Sequence, residues 1–409
     1  MKILWVKADR LLPVQNGGNI RSYHMARQLA ARHSLTFFSY YGGDGPDAQY
    51  EAALNREFPQ AVALYTGIGE SGRFARALDY ARHLFDPTPY AVGRFRSPGV
   101  RHQLARWYAE GAFDVVICDF LDAAINFPAE LSIPSVLFQH NVETEIWRRH
   151  ALNASGVKRM VYAMEARKMH SYEQQAVRRF HHVIAVSESD RRLMSAWADS
   201  SRVSAVPTGV DLAQFRPDLS RTAEKPVVMF VGAMDWMPNV DGAEYFCQEV
   251  WPSILRKVPG ARFRIVGRNP VPRVQQLASD SVEVTGKVPS VVEHLREAAA
   301  VVVPLRVGGG TRLKIYEAMA MGRAVVSTTV GAEGLDVKDQ QDILLADDAT
   351  KFAEAVCSLL LDVTARRRYE RAAAQSASRF DWPVVTATFE EILASQVHAA
   401  ARGAHPVAV

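Results

Sequence analysis

Residues 301–317 read VVVPLRVGGGTRLKIYE, an apolar run followed by three glycines and the start of a helical pattern that continues to residue 322. An apolar strand, a tight turn and a helix form the repeating unit of parallel-sheet α/β domains. Glycines at such a turn let a ligand approach the backbone N–H groups of the helix N-terminus, where anions bind. The stretch therefore predicts an α/β fold with an anion site at the carboxyl end of one strand.

The same alternation of apolar runs and helical patterns extends through the chain. The runs cover residues 3–6, 35–41, 115–118, 135–138 and 183–186 in the first half, and 227–231, 263–266, 282–285, 301–305, 324–327 and 343–345 in the second. Between the two sets, residues 216–226 are polar and lack periodicity. We expect two Rossmann-like, doubly wound parallel-sheet domains, residues 1–213 and 214–380, facing a cleft lined by loops at the carboxyl ends of their strands.

Length and composition indicate a globular protein with more than one core. The chain has 409 residues, of which 48% are hydrophobic and 22% charged. Its three widely spaced cysteines support neither a disulfide framework nor a cysteine-based zinc site. No apolar run approaches the roughly 20 residues that span a bilayer, and the N-terminus lacks a signal-peptide pattern, so we expect a cytoplasmic protein. The net charge of +4 does not imply nucleic-acid binding.

Two segments of the first half are strongly basic. Residues 73–106 hold seven arginines against two aspartates, and residues 148–182 hold eight lysines and arginines against two glutamates. Such segments are either the solvated faces of helices or a surface for an anionic membrane or a phosphate-bearing acceptor. The second reading places the protein at the inner face of the membrane.

Charged residues flank the three glycines of the opening stretch. Arg306, Arg312 and Lys314 can neutralise phosphates, so the anion site suits a diphosphate. Glu317 can accept two hydrogen bonds from the vicinal hydroxyls of a ribose, although a glutamate there also compensates the helix dipole.

Two positions of the first half follow predicted strands. The pair Gly17 and Gly18 precedes a helical pattern and suits an anion, or else forms a flexible loop with Asn19 as the helix cap. His140 and Asn141 follow the run 135–138. His140 can hydrogen-bond a sugar hydroxyl, or it is a packed and satisfied histidine.

Taken in order, these features resemble the family-4 glycosyltransferases of GT-B fold, from Lys2 to about residue 395. The matching pieces are the Gly17–Gly18 loop with Arg21, the His140 segment, VPTGVD at 206–211, FRP at 215–217, FVG at 230–232, TGKV at 285–288 and the glycine-rich loop up to Glu317. The resemblance implies a nucleotide-diphosphate-sugar donor in the second domain, retention of anomeric configuration and no required metal. It also implies a glycan or lipid-linked acceptor in cell-surface polysaccharide synthesis, and a C-terminal helix, residues 381–399, that completes the first domain before a flexible tail, 400–409.

The resemblance also assigns roles to residues. It makes Glu317 the ligand of the donor ribose, Lys314 and Arg306 the partners of the diphosphate, and His140 a contact of the transferred sugar. The predicted catalytic residues are His140, Arg306 and Lys314; the predicted donor-binding residues are Gly17, Gly18, Val288, Gly308, Gly309, Gly310, Thr311, Arg312 and Glu317; Arg21, Asn141 and Arg268 are further candidates.

Two departures from the family pattern affect these roles. The first glutamate of the family's Glu-x7-Glu pattern is Gly309 here, so backbone amides of the loop take its place. The loop 232–239 lacks the usual arginine and lysine, so Arg306, Arg312, Lys314 and Arg268 must neutralise the phosphates. The chain has no Asp-x-Asp pair, and we expect neither a metal nor another cofactor.

Of three other classes of protein, the sequence excludes one and leaves two open as alternatives. A dehydrogenase needs a G-x-G-x-x-G turn after a first strand, and neither half supplies one. A nucleotide-sugar epimerase of the same fold, which acts on the donor alone, stays open as an alternative. A non-catalytic sugar-binding protein is the third, and binding without turnover would distinguish it.

Overall fold

The computed structural model describes residues 1–67, 79–80, 82–84, 86–219, 225–307 and 312–403. The chain divides into two compact units, one formed by Met1–Pro207 with Thr386–Val409 and the other by Thr208–Val385. The division near residue 207 lies slightly before the boundary expected at residue 213. The chain passes from the second unit back to the first between Val385 and Thr386, inside the C-terminal helix, Trp382–Gly403.

The first unit is a seven-stranded parallel sheet in the order β3-β2-β1-β4-β5-β6-β7. The strands are β1 Lys2–Ala8, β2 Ser34–Tyr41, β3 Val62–Tyr65, β4 Val115–Asp119, β5 Ser135–Phe138, β6 His182–Ala185 and β7 Val203–Ala205. Its described helices are Gly17–Ala30, Ala48–Glu57, Tyr90–Gly93, Pro98–Ala109, Glu143–Asn153, Gly156–Arg179 and Glu188–Ser195, with 3-10 turns at Leu121–Asn126 and Ser200–Arg202. The central strands β4 and β5 are buried along their whole length, as expected for strands covered on both faces.

The second unit is a six-stranded parallel sheet in the order β10-β9-β8-β11-β12-β13. The strands are β8 Val227–Val231, β9 Arg262–Val266, β10 Val282–Gly286, β11 Ala300–Val303, β12 Val325–Ser327 and β13 Leu344–Leu345. Its described helices are Met237–Tyr245, which continues through a π-helical turn at Phe246–Val250 into Trp251–Lys257, then Pro272–Gln275, Val291–Glu297, Leu313–Ala320, Ala349–Leu361 and Val363–Ala377, with a 3-10 turn at Ser378–Phe380. In both sheets the strand order reverses at the first strand of the unit, which confirms the predicted doubly wound class.

Local capping explains where the first helix begins. Asn16 accepts a hydrogen bond from the backbone N–H of Asn19 at 2.8 Å, so Asn16 is the N-cap and Gly17 the first helical residue. The side chain of Asn19 instead donates to the carbonyls of Arg10 and Leu11. The suggestion that Asn19 caps this helix is therefore wrong, because its amide fixes the preceding loop.

The C-terminal helix packs against the first sheet. Phe389 lies 6.0 Å from Trp5 and 5.0 Å from Phe138, measured between ring centroids. All three side chains are fully buried. The helix thereby covers one face of β1 and β5.

Candidate active site

The site residues predicted in the second half gather at one edge of the second sheet. Arg268, Val288 and Arg306 follow β9, β10 and β11, and Gly232 of the FVG motif follows β8. The carboxyl ends of parallel strands meet at the same edge, where open α/β sheets bind ligands. Gly308, Gly309, Gly310 and Thr311 lie outside the described residues.

Two glycines let β8 and β9 end in close contact. A Cβ atom on Gly267 would lie 1.6 Å from the carbonyl oxygen of Gly232, and one on Gly232 would lie 2.9 Å from the Nζ of Lys314. Gly267 therefore has no room for any side chain, and Gly232 makes room for a lysine. The ends of β8 and β9 and the side chain of Lys314, a predicted partner of the phosphates, therefore pack against each other.

Lys314 is held at this edge by groups from β8 and the helix after it. Its Nζ donates to Asn239 Oδ1 at 2.8 Å and lies 4.8 Å from the ring centroid of Phe230. Burial, with a smaller effect of the charge on Arg312, lowers the pKa of Lys314 to about 7, although Glu317 opposes the shift. A phosphate beside the amine would favour its protonated form and raise this pKa again.

Glu317 lies one turn further along the same helix. Burial raises the pKa of its carboxyl to about 7, against the opposing charge of Lys314. Among the described residues no hydrogen bond or salt bridge reaches this half-buried carboxylate. Because burying an acceptor without a donor is unfavourable, the arrangement suits a ligand that brings hydroxyl groups.

Arg306 and Arg312 pack against the helix Met237–Tyr245 and the residue before it. Arg306 makes a bidentate pair with Asp241, with N–O distances of 2.7 and 3.1 Å, and its guanidinium lies 4.6 Å from the ring centroid of Tyr245. Arg312 is buried and lies 5.5 Å from the ring centroid of Trp236. A phosphate would have to compete with Asp241 for Arg306, and the phosphate role of this arginine stays a prediction.

The residues that hold these cations were not predicted from the sequence. They are Trp236, Asn239, Asp241 and Tyr245, all in or next to one helix after β8. Their signal was the loop 232–239, which lacks the family's cations. In the structure, this loop and the helix after it contact three cations from further along the chain, Arg306, Arg312 and Lys314.

A second cluster lies at the carboxyl end of the first sheet, around Asp119 at the end of β4. Asp119 Oδ2 accepts hydrogen bonds from Trp5 Nε1 at 3.0 Å and Lys7 Nζ at 3.3 Å, and Oδ1 accepts from His140 Nε2 at 2.8 Å. All four side chains are almost completely buried. Burial opposes ionisation, yet Lys7 and His140 hold the pKa of Asp119 below its usual range.

His140 has protein partners at both ring nitrogens. Arg21 donates to Nδ1 at 2.9 Å, and because a guanidinium only donates, the imidazole proton must be on Nε2, facing Asp119. Burial lowers the pKa of His140 to about 3, so the ring is neutral. A hydrogen bond from this ring to a sugar would break one of the two bonds. The sugar contact of His140 stays a prediction.

Phe120 links this cluster to the glycines that begin the first helix. Its ring stacks on His140 with 3.7 Å between centroids, and its φ of 71° is in the left-handed region that few non-glycine residues adopt. A Cβ on Gly18 would lie 2.5 Å from the Phe120 ring. Gly18 is therefore needed for packing, and the donor-binding role of Gly17 and Gly18 stays a prediction, as does that of Asn141, whose amide donates to Glu143 at 3.4 Å.

The described residues offer neither a metal site made of protein side chains nor a membrane-spanning helix. They include no group of three or more histidine, cysteine, aspartate or glutamate side chains placed to hold a metal ion. No helix among them is long and apolar enough to cross a bilayer.

Known families and proteins match most of this chain. The profile of Glycosyltransferase Family 4 matches residues 15–214, and that of Glycosyl transferases group 1 matches residues 225–362. The phosphatidyl-myo-inositol mannosyltransferase of Mycolicibacterium smegmatis is 28% identical over 314 residues, which are 74% of this chain and 77% of that protein.

Solved structures share the fold at low sequence identity. Anabaena Alr3699/HepE in complex with UDP-glucose aligns with a TM-score of 0.66 at 14% identity, over 97% of this chain and 100% of that one. Sucrose-phosphate synthase from Thermosynechococcus elongatus aligns with a TM-score of 0.69 at 17% identity, over 97% and 99%. Together with the two sheets and the family matches, these likenesses identify the chain as a family-4-like glycosyltransferase of GT-B fold.

Proposed function

We propose that this glycosyltransferase takes a sugar from a nucleoside-diphosphate donor bound by its second unit and transfers it, with retention, to a hydroxyl of a glycan or lipid-linked acceptor. One observation carries the donor assignment. Glu317 is a half-buried carboxylate without a hydrogen-bond partner among the described residues, one helical turn from the buried amine of Lys314. A ribose supplies two hydroxyls for the first group, and a diphosphate supplies negative charge for the second.

The relatives' names support the same chemistry. The Mycolicibacterium relative is a phosphatidyl-myo-inositol mannosyltransferase, whose named acceptor is a lipid, and HepE binds UDP-glucose. In the proposed reaction the bond between the anomeric carbon and the diphosphate oxygen breaks while the acceptor oxygen attacks the same sugar face, and the proton of the acceptor hydroxyl passes to the leaving diphosphate. Lys314 and the N-terminus of its helix stabilise the negative charge that grows on the leaving diphosphate.

Replacing Glu317 with alanine is expected to weaken UDP or GDP binding about 10- to 100-fold, because a hydrogen bond to a charged group is worth about 1.5 to 3 kcal/mol. Calorimetry at pH 8 measures it with the carboxyl ionised, since its pKa is about 7. Glu354→Ala, an exposed glutamate of the same unit, is the matched control. An undiminished affinity in a Glu317→Ala protein with unchanged melting temperature would remove the ribose assignment.

Turnover is expected to persist in EDTA. The proposal assigns neutralisation of the diphosphate to Lys314, Arg306 and Arg312, and the sequence has no Asp-x-Asp pair to hold a divalent ion against it. Initial rates with and without about 1 mM EDTA test this. Loss of activity that manganese or magnesium restores would contradict it.

The proposal includes contact with an anionic membrane through the tip of a helical hairpin, formed by Glu143–Asn153 and Gly156–Arg179. Three large apolar side chains are exposed there, Leu152 at 61%, Val157 at 76% and Met160 at 72%. Lys158 and Arg159 lie between them in the chain. Apolar side chains flanked by cations are typical of surfaces that lie in a lipid interface.

The other basic segment, residues 73–106, gives less support to membrane contact. In its described part, Arg96 pairs with Asp86, Arg101 donates to a backbone carbonyl, and Arg106 pairs with Glu110. Arg73 and Arg76 lie outside the described residues.

Lys158→Gln with Arg159→Gln is expected to weaken binding to vesicles of phosphatidylcholine with about one third phosphatidylglycerol roughly 30-fold, because each cation near the surface contributes about 1 kcal/mol. Val157→Ser with Met160→Ser should weaken it further. Vesicle flotation at low and high salt measures both. Leu361→Ser, equally exposed but in the second unit, is the control. Binding that is absent from the wild type, or insensitive to these changes, would show that the tip is merely solvated.

A further inference from the structure

A cavity of about 450 Å³ lies in the first unit, on the inner side of the helical hairpin. Its walls come from the hairpin, from the segment after the helix Tyr90–Gly93 and from the 3-10 turn Leu121–Asn126. The volume is in the range of small-molecule sites. The polar residues that line it are Arg94, Asp122, Glu143, His150 and Tyr162, and they are joined by the aromatic side chains of Phe95 and Trp147.

Two carboxylates face the cavity from different elements. Glu143 accepts one long hydrogen bond, 3.4 Å, from Asn141, and among the described residues Asp122 has no hydrogen bond or salt bridge. Burial and the neighbouring charge of Glu143 raise the pKa of Asp122 to about 7, although Arg94 opposes the shift. Both carboxylates therefore have free acceptor positions in a partly desolvated space.

The cavity also has an aromatic wall, which consists of three rings on the hairpin. Trp147, His150 and Tyr162 lie with ring centroids 5.6 to 6.2 Å apart and form an aromatic wall. A pyranose or cyclitol ring has apolar C–H faces that pack on such rings and hydroxyl groups at its edge that donate to carboxylates. The described residues that line the cavity include two carboxylates and one guanidinium, a charge balance that disfavours a phosphate and favours an uncharged polyol.

We propose that this cavity is an acceptor subsite that binds the hydroxyl-bearing ring of the molecule to be glycosylated. The inference rests on the proposed function, because it presumes a hydroxyl acceptor. The cavity and the membrane-facing tip belong to the same hairpin: Leu152 is five residues from Trp147, about 7.5 Å along a helix. A ring carried by a membrane lipid would therefore be presented close to the cavity.

Direct binding of small polyols tests the subsite in the full-length protein. The probes are methyl α-D-glucopyranoside, methyl α-D-mannopyranoside and myo-inositol. Their binding is measured by saturation-transfer NMR and by the change in intrinsic fluorescence that is lost in Trp147→Phe, because the chain has seven tryptophans. We expect at least one polyol to bind, and Asp122→Asn with Glu143→Gln, or Trp147→Ala alone, to weaken it at least 10-fold. Glu145→Gln is the matched control, because Glu145 lies on the same helix but pairs with Arg148 outside the cavity.

Nucleotide binding separates failure of this subsite from failure of the proposed function. The cavity variants are expected to leave UDP or GDP affinity unchanged and to raise the KM for the acceptor at least 10-fold. Polyol binding without any nucleotide binding would contradict the proposed donor site but would still support the acceptor subsite.

Three results would overturn the subsite. They are the absence of polyol binding to the wild type, equal binding by folded cavity variants, and preferential binding of inorganic phosphate or ethanolamine over every polyol. Melting temperatures identify variants that do not fold. If the Asp122 variant fails to fold, Trp147→Ala and Trp147→Phe still decide between the outcomes.

Discussion

Replacing Lys314 with alanine is expected to lower kcat by about 100- to 1000-fold while changing the Kd of the nucleotide much less. The amine lies in a partly desolvated position, and within the described part of the chain its hydrogen-bond acceptor is a neutral amide, Asn239 Oδ1 at 2.8 Å. Its charge is worth most when the diphosphate leaves and negative charge grows beside it. Rates with saturating donor measure the effect. Lys351→Ala, an exposed lysine of the same unit, is the control.

The pH dependence of kcat/KM gives a second readout of the same residue. The protonated amine is the active form, and since its free-enzyme pKa is about 7, kcat/KM should fall as the pH rises above 7. The ionised form of Glu317 gives a rising limb near the same pH. Lys314→Ala should remove the falling limb and move the rising limb to higher pH, because Lys314 lowers the pKa of Glu317. A falling limb that survives the substitution would assign it to another group.

The positions of the fully buried central strands could be predicted from the sequence, but those of the edge strands of the first sheet could not. The central runs, such as 115–118 and 135–138, are continuous apolar segments, and the structure has strands there. The strands β3 and β7 were missed. Val62 in β3 is 37% exposed and β7 has only three residues, because an edge strand is covered less and needs no long apolar run.

Only those residues of the candidate donor site that belong to the glycine-rich motif could be predicted from the sequence. Lys314 and Glu317 stand out because they follow a glycine-rich turn. Asn239 and Asp241, which hold Lys314 and Arg306, come from a segment about 70 residues earlier that has no charged motif of its own. Contacts between distant segments depend on which strands lie side by side, and β8 is next to β11 in the sheet.

The sequence carries a signal for the cluster around Asp119. Lys7 interrupts one apolar strand, and Asp119 ends another. Buried strands rarely contain charged residues, so each charge is unusual at its position. Buried charges are found paired, and β1 and β4 are neighbours in register, Lys7 opposite Asp119. Without the order of strands, the pairing could not be chosen among the other charges of the chain.

Replacing Asp119 with alanine is expected to destabilise the first unit by about 3 to 5 kcal/mol, the usual cost of removing one partner from a buried ion pair. The substitution leaves the ammonium of Lys7, the indole N–H of Trp5 and the imidazole N–H of His140 without their acceptor in the core. Urea unfolding followed by fluorescence measures the loss. Asp114→Ala at the exposed start of the same strand, where Asp114 accepts one backbone hydrogen bond from Lys2, should cost about 1 kcal/mol.

Two further measurements separate the buried charge from the shape of the side chain. Asp119→Leu with Lys7→Met removes both charges and should recover part of the stability, because apolar groups replace a buried ion pair with little loss. The Asp119 pKa is held below its usual range, so its contribution is fully present above about pH 4 and is lost only as the pH falls further. If Asp119→Ala cost no more than Asp114→Ala at pH 7, the hydrogen bonds from Lys7, Trp5 and His140 to Asp119 would not stabilise the first unit, and this prediction would be wrong.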